Sequence, residues 1–204
     1  MTMESSQLPP QNQPPERNFL GNLGLFFLEL IKVALMAGLT IGLVRYFLFK
    51  PFYVKGQSME PNFSEHEYLI IDEITYRFRE PTRGDVVVFR APPSATSEKE
   101  YYLKRIVGMP GERVKIEDNK VIIYNVDYPQ GTIVEENYLT ESTIGSMTVT
   151  LGSEQFFVLG DNREASYDSR RFGPIDRGAI VGRTWFRGWP LSRVGTLEAP
   201  MYNL

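Results

Sequence analysis

Apolar and polar positions divide the chain into three lengths of different character. Residues 1–18 hold few large apolar side chains and carry the pairs Pro9-Pro10 and Pro14-Pro15 among Gln and Ser. Such a composition buries too little apolar surface to offset chain entropy, so a disordered tail is expected, running with a short lead-in over residues 1–24. Residues 25–49 are strongly apolar, with charge only at Glu29, Lys32 and Arg45. As a helix this stretch would rise roughly 37 Å, enough to cross a ~30 Å hydrocarbon core. Its charge-free heart, residues 33–44, is short, but Lys32 and Arg45 can snorkel towards opposite interfaces. The apolar residues surround the helix axis, unlike those of an interfacial helix. A cleaved leader fits badly, because the tail carries Glu4, Glu16 and Arg17 and the run ends in Tyr46-Phe47-Leu48-Phe49, not in small residues. The expectation is a retained transmembrane anchor; its competitor is a buried helix of a soluble domain.

Beyond residue 50 the pattern changes to short runs rich in β-branched and aromatic residues. Strands are predicted at residues 67–72, 85–90, 102–107, 113–117, 121–124, 147–151, 155–159 and 179–187. Asp118-Asn119-Lys120 reads as the turn of a hairpin, and residues 91–98, with Pro92-Pro93, read as a loop. The polar residues 127–146 give no clear element. The fold class is therefore mainly β: one compact mostly-β domain over residues 50–204, preceded by one N-terminal transmembrane helix.

Charge and composition narrow the chemistry. With 22 basic and 25 acidic residues the net charge is −3, which leaves no basic excess suited to nucleic acid. There is no cysteine, hence no disulfide and no thiolate nucleophile. The single histidine, His66, has no Cys or second His with which to share a metal, so neither metal nor cofactor is expected. Arg17 precedes the apolar run, while Arg45, Lys50 and Lys55 stand at its far end; that count does not favour a cytoplasmic N-terminus.

Three runs carry candidate chemistry. In Gly56-Gln57-Ser58-Met59-Glu60-Pro61 a glycine lets the backbone turn and a proline prevents a helix, which can leave a serine hydroxyl on irregular backbone. A serine needs a base, and His66 lies in Ser64-Glu65-His66-Glu67, which reads as an exposed polar turn. A lysine can serve instead if removal from water keeps its amine neutral. Lys104 sits in the apolar frame Tyr102-Leu103-Lys104-Arg105-Ile106-Val107, where strand alternation puts it on one face with Tyr102 and Ile106. The third run is Gly160-Asp161-Asn162-Arg163-Glu164-Ala165-Ser166-Tyr167-Asp168-Ser169-Arg170. Taken singly, these are a turn after an anchor, a lysine on an edge strand and a polar turn.

Together and in this order, the three runs resemble the bacterial type I signal peptidases, membrane-bound serine proteases with a Ser/Lys dyad. The resemblance extends from about residue 52 to the C-terminus. It implies Ser58 as nucleophile, Lys104 as base, Ser166 as the group orienting the amine, and a structural ion-pair group of Asp161, Asp168, Arg105 and Arg170. It also implies the Ser58 N–H as an oxyanion donor, and an apolar lining for small substrate side chains from Val54, Met59, Phe63, Tyr102 and Leu103. Gly56 stands where some relatives have a second donor serine, and Asn62 where threonine is common. The implied activity is cleavage of N-terminal signal peptides from exported preproteins through an acyl-enzyme, with no cofactor. The implied partners are preprotein signal peptides and the lipid bilayer. The resemblance places the N-terminus in the cytoplasm, against the charge count, and the catalytic domain on the exoplasmic face of the plasma membrane or, in a photosynthetic organism, the thylakoid. One alternative is a non-catalytic anchored β domain that binds a partner. Another is a self-cleaving Ser/Lys repressor-type protease, which needs an N-terminal DNA-binding helix pair. A Ser-x-x-Lys penicillin-binding enzyme is not supported, since no such spacing occurs.

Overall fold

The structure, a computed structural model, describes residues 19–47, 49–92 and 100–204. The tail expected over residues 1–18 and most of the loop expected at 91–98 lie outside the described residues.

Helix α1 runs Phe19–Phe47. It starts ahead of the apolar run, and it stops before Phe49 because the next residues form a strand containing Pro51, whose ring has no N–H for a helical ladder. Within α1, Asn22–Leu43 is long and apolar enough to cross a membrane, and every side chain in it is exposed. The Thr40 hydroxyl donates to the Met36 carbonyl at 2.8 Å, so this polar group is satisfied inside the helix.

A second compact unit, Val44–Leu204, is built from two antiparallel sheets. Its strands in chain order are β1 Phe49–Tyr53, β2 Tyr68–Asp72, β3 Val86–Arg90, β4 Tyr101–Gly108, β5 Arg113–Glu117, β6 Lys120–Tyr124, β7 Thr132–Ile133, β8 Met147–Thr150, β9 Gln155–Leu159, β10 Ile175–Asp176, β11 Ile180–Trp189 and β12 Gly195–Thr196. The larger sheet is ordered β1-β2-β11-β3-β4-β9-β10, with β12 on β11; the smaller is β7-β6-β5-β8. Pro51 is tolerated because β1 is an edge strand.

Alternation along the strands divides the interior. Leu69, Ile71, Val86, Val88 and Leu103 pack on one face of the larger sheet with Val54, Met59 and Phe63. Val87, Phe89, Ile106, Phe156 and Val158 pack on the other with Ile175 and Ile180. The run Val86-Val87-Val88-Phe89 is thus buried on both sides, as an unbroken apolar strand must be. In the smaller sheet Val114, Ile116, Val121 and Ile123 point inward against Val107, Phe157 and Leu159. The β5–β6 turn uses φ of 50° at Asp118 and 60° at Asn119, a left-handed pair that Asp and Asn tolerate.

One mismatch of strand lengths creates the site. Strand β3 pairs with β4 from Val86↔Arg105 to Arg90↔Tyr101, whereas β9 pairs with β4 only from Arg105↔Leu159 onward. The backbone groups of Ile106 bond to Asp85 and Gly84 beside β3, so by alternation the Leu103 carbonyl faces the side that β9 has vacated. The chain leaving β9 turns at Gly160 into the third candidate run.

Candidate active site

The loop between β1 and β2 carries Ser58. Its ends are joined by Val54 N–H to Glu67 O and His66 N–H to Val54 O. Gly56 has φ of 79°, which only glycine adopts freely, and its N–H donates to Glu65 Oε1 at 3.0 Å. On either side of the serine, Val54 and Met59 are buried and fasten the loop to the core. Gly160 approaches from the β9 side: a Cβ there would collide with the Ser58 carbonyl oxygen and with Ser166. That close approach lets Asn162 N–H donate to Ser58 O at 3.1 Å.

Lys104 reaches into this junction from β4. Its Nζ lies 2.6 Å from Ser58 Oγ and donates to the Leu103 carbonyl at 3.0 Å. The residue is 4% exposed, and burial lowers the amine from its ordinary 10.5 to about 8, against the opposing charges of Asp168 and Asp161. The Tyr102 ring lies 5.8 Å from Nζ. The Ser166 hydroxyl is buried beside Gly160 and does not bond the amine, whose partners are Ser58 and Leu103.

The four expected ion-pair residues form two separate pairs joined through the backbone of residues 160–161. Arg105 Nε and Nη2 donate to Asp161 Oδ1 and Oδ2 at 2.8 and 2.6 Å, both side chains being buried, and the guanidinium lies 4.4 Å from the Tyr138 ring centre. Burial acts to lower the Arg105 pKa, but the Asp161 carboxylate outweighs it and the guanidinium is held above its ordinary value. Arg170 Nε and Nη2 grip Asp168 at 2.9 Å each, and Gly160 N–H donates to Asp168 Oδ2 at 3.0 Å. Asp168 also caps the short helix α2, Ser169–Phe172. Burial acts to raise the Asp168 carboxyl, but Arg170 and the Gly160 N–H hold it below its ordinary value.

A cavity of about 470 Å³ opens onto Ser58 and Lys104, lined by Val54, Met59, Tyr102 and Leu103. Phe63, expected in that lining, is elsewhere. The Phe63 N–H bonds back to Met59 O, turning the chain so that the ring packs in the core 5.3 Å from the Arg187 guanidinium and faces a different cavity. His66 is exposed, with φ of 70°, and borders neither cavity.

Sequence reasoning missed two connections. Arg163 is fully buried and pairs with Glu136 through Nη1 and Nη2 at 2.9 and 2.6 Å. Glu136 lies in the polar stretch that gave no element, so only the arginine had any signal. Asn62 showed only as an unusual residue; its bonds to Asp161 and to Tyr138 O depend on the folded arrangement.

Residues 27–189 match the profile of a family described as "Signal peptidase, peptidase S26". Probable signal peptidase I-2 of Synechocystis sp. (strain ATCC 27184 / PCC 6803 / Kazusa) is 35% identical over 191 residues, covering 92% of this chain and 81% of that protein. Signal peptidase I of Leptolyngbya laminosa is 36% identical over 182 residues, covering 81% of this chain and 85% of its own. Signal peptidase IB of Staphylococcus aureus (strain Mu50 / ATCC 700699) is 33% identical over 180 residues, covering 81% and 91%. The protein is a serine peptidase, a hydrolase. It belongs to the signal peptidase family, peptidase S26.

Proposed function

We propose that this chain is a membrane-anchored endopeptidase that removes N-terminal signal peptides from preproteins, with Ser58 as nucleophile and Lys104 as general base. The observation that carries this reading is the 2.6 Å contact between Lys104 Nζ and Ser58 Oγ at a buried amine. A neutral Nζ takes the Oγ proton as Oγ bonds to the scissile carbonyl carbon. The Ser58 N–H stabilises the oxyanion; Gly56 has no side chain to add a second donor, and its N–H is engaged by Glu65. The ammonium of Lys104 then gives its proton to the leaving amide nitrogen as the C–N bond breaks, leaving an acyl-enzyme. Water, losing a proton to Nζ, attacks the acyl carbon; the proton returns to Oγ and the signal peptide leaves with a free carboxylate.

The apolar span of α1, Asn22–Leu43, serves as the bilayer anchor between the N-terminal tail and a catalytic domain whose first strand is β1. The N-terminus is cytoplasmic and the catalytic domain exoplasmic, at the plasma membrane or, in a photosynthetic organism, the thylakoid. Asp161, Asp168, Arg105 and Arg170 hold the site's frame, and Ser166 lies beside it. The test is preprotein cleavage by the detergent-solubilised wild type beside Ser58→Ala and Lys104→Ala. Both variants are expected to fall to background and to stay folded, and their double mutant to fall no further, because nucleophile and base act as a unit. Near-normal turnover by either single variant overturns the dyad.

A further inference from the structure

Asn62 stands four residues after Ser58 in the same loop. Its side-chain Nδ2 donates to Asp161 Oδ2 at 2.9 Å and to the Tyr138 carbonyl at 3.0 Å. Both partners are acceptors without a hydrogen to give, so the NH2 end of the amide must face them, and both its hydrogens are used. The Asn62 backbone is gripped from the other side. Its carbonyl accepts from Arg187 Nη2 at 2.6 Å and from Arg193 Nη2 at 3.0 Å. Those two arginines share the buried carboxylate of Glu67, at 2.7 and 2.8 Å.

The chain of contacts then runs directly to the base. Asp161 is held by Arg105, and Arg105 is the next residue after Lys104 in β4. One route from nucleophile to base is therefore Ser58, its loop, the Asn62 amide, Asp161, Arg105 and Lys104. Asn62 itself does not border the cavity at Ser58, so it has no direct hold on substrate.

We infer that Asn62 is a positioning residue for the Ser58–Lys104 pair: its amide latches the serine-bearing loop to the Arg105–Asp161 pair and so fixes Oγ against the lysine amine. This rests on the dyad reading above. A bond that only stabilised the loop would cost folded protein and nothing else. A latch between nucleophile and base instead affects the proton-transfer step, where a displacement of about 1 Å can cost about 100-fold in rate.

The experiment uses the full chain in detergent, with preprotein cleavage at saturating and limiting substrate and urea unfolding of each variant. Asn62→Ala, which removes both donors, is expected to lower kcat by about 10- to 100-fold with KM nearly unchanged. Asn62→Thr keeps one hydroxyl donor and is expected to recover much of that loss. Asn62→Asp sets a second carboxylate beside Asp161; added negative charge favours the ammonium form of Lys104, so the rising limb of the pH–rate profile is expected to move to higher pH. Ser58→Ala and Lys104→Ala are measured in parallel. If they are inactive while Asn62→Ala keeps wild-type kcat, the latch is wrong and the dyad stands. If the losses of Asn62→Ala and Asn62→Thr simply follow their unfolding midpoints and the Asn62→Asp profile does not move, the bond is structural and the latch is wrong. If Ser58→Ala remains active, the dyad fails and the latch with it.

Discussion

Gly160 lies against the carbonyl oxygen of Ser58 with no room for a Cβ between them. The strand that ends at Leu159 is thereby brought to Ser58, and Asn162 can donate to the same carbonyl. Gly160→Ala must displace Ser58, Ser166 or the Asn162 bond, all within the site. The expected outcome is a fall in kcat of about 100-fold, from a displacement on the order of 1 Å. A kinetic comparison of purified Gly160→Ala with wild type checks it; unchanged kcat would show that the loop yields at no cost.

Arg105 and Asp161 are both buried and joined by two hydrogen bonds. Removing one partner leaves a buried charge unmatched, so Arg105→Ala is expected to cost about 3–5 kcal/mol in urea unfolding. Arg105→Lys keeps the charge and loses the two-pronged geometry, and it should fall between. Equal stability of Arg105→Ala and wild type would show that water enters the site and solvates Asp161.

Much of this frame was legible in the chain, and the exceptions share a cause. β-branched content located β3, in the run Val86-Val87-Val88-Phe89, and turn residues located the β5–β6 hairpin, because Asp118 and Asn119 suit left-handed backbone. Alternation also placed Lys104 correctly: Val87, its partner across β3, packs on the same face as Ile106. The two-residue strands β10 and β12 carry no pattern of their own and exist only because β9 and β11 offer them an edge. Strand β1 was hidden by Lys50 and Pro51, residues that suit an edge strand but do not announce one. In the site, Ser58 and Lys104 stood out by residue type and motif. The contacts of Asn62, Glu136 and Phe63 did not, because each is set by partners dozens of residues away or by a local turn that redirects the side chain.

Leu103 lines the cavity at Ser58 from the strand that carries Lys104, and its side chain is buried with Val54 and Met59. A wall of this kind selects small substrate side chains by excluding larger ones, not by binding the small ones tightly. Wild type is expected to require small residues at the first and third positions before the cut. Leu103→Ala removes part of the wall and should raise cleavage after leucine or phenylalanine relative to alanine. The ratio of kcat/KM values for preproteins differing only at that position measures this. A ratio no different from wild type would place the selecting wall elsewhere.

The lowered pKa of Lys104 ties both activity and stability to pH, and both rise with it. Burial brings the amine from 10.5 to about 8. Catalysis needs the neutral amine, so the rate should rise with pH through about 8 and level off above it. His66→Ala should leave that limb in place, since His66 is exposed and borders neither cavity. Stability carries the same sign over a higher window. Between about 8 and 10.5 the unfolded chain binds a proton at this lysine that the folded chain does not, so the burdened folded state gains stability as pH rises through that window. Below pH 8 both states are protonated and the whole cost of burying the ammonium remains, roughly 3 kcal/mol at 1.36 kcal/mol per unit. Lys104→Met carries no such charge. It should be inactive and yet more stable than wild type at pH 6.5, with the difference shrinking as the pH approaches 10.5. Urea unfolding of both proteins at the two pH values measures that gap. A Lys104→Met protein less stable than wild type at pH 6.5 would mean that the ammonium is well solvated in the fold and that burial does not make this lysine a base.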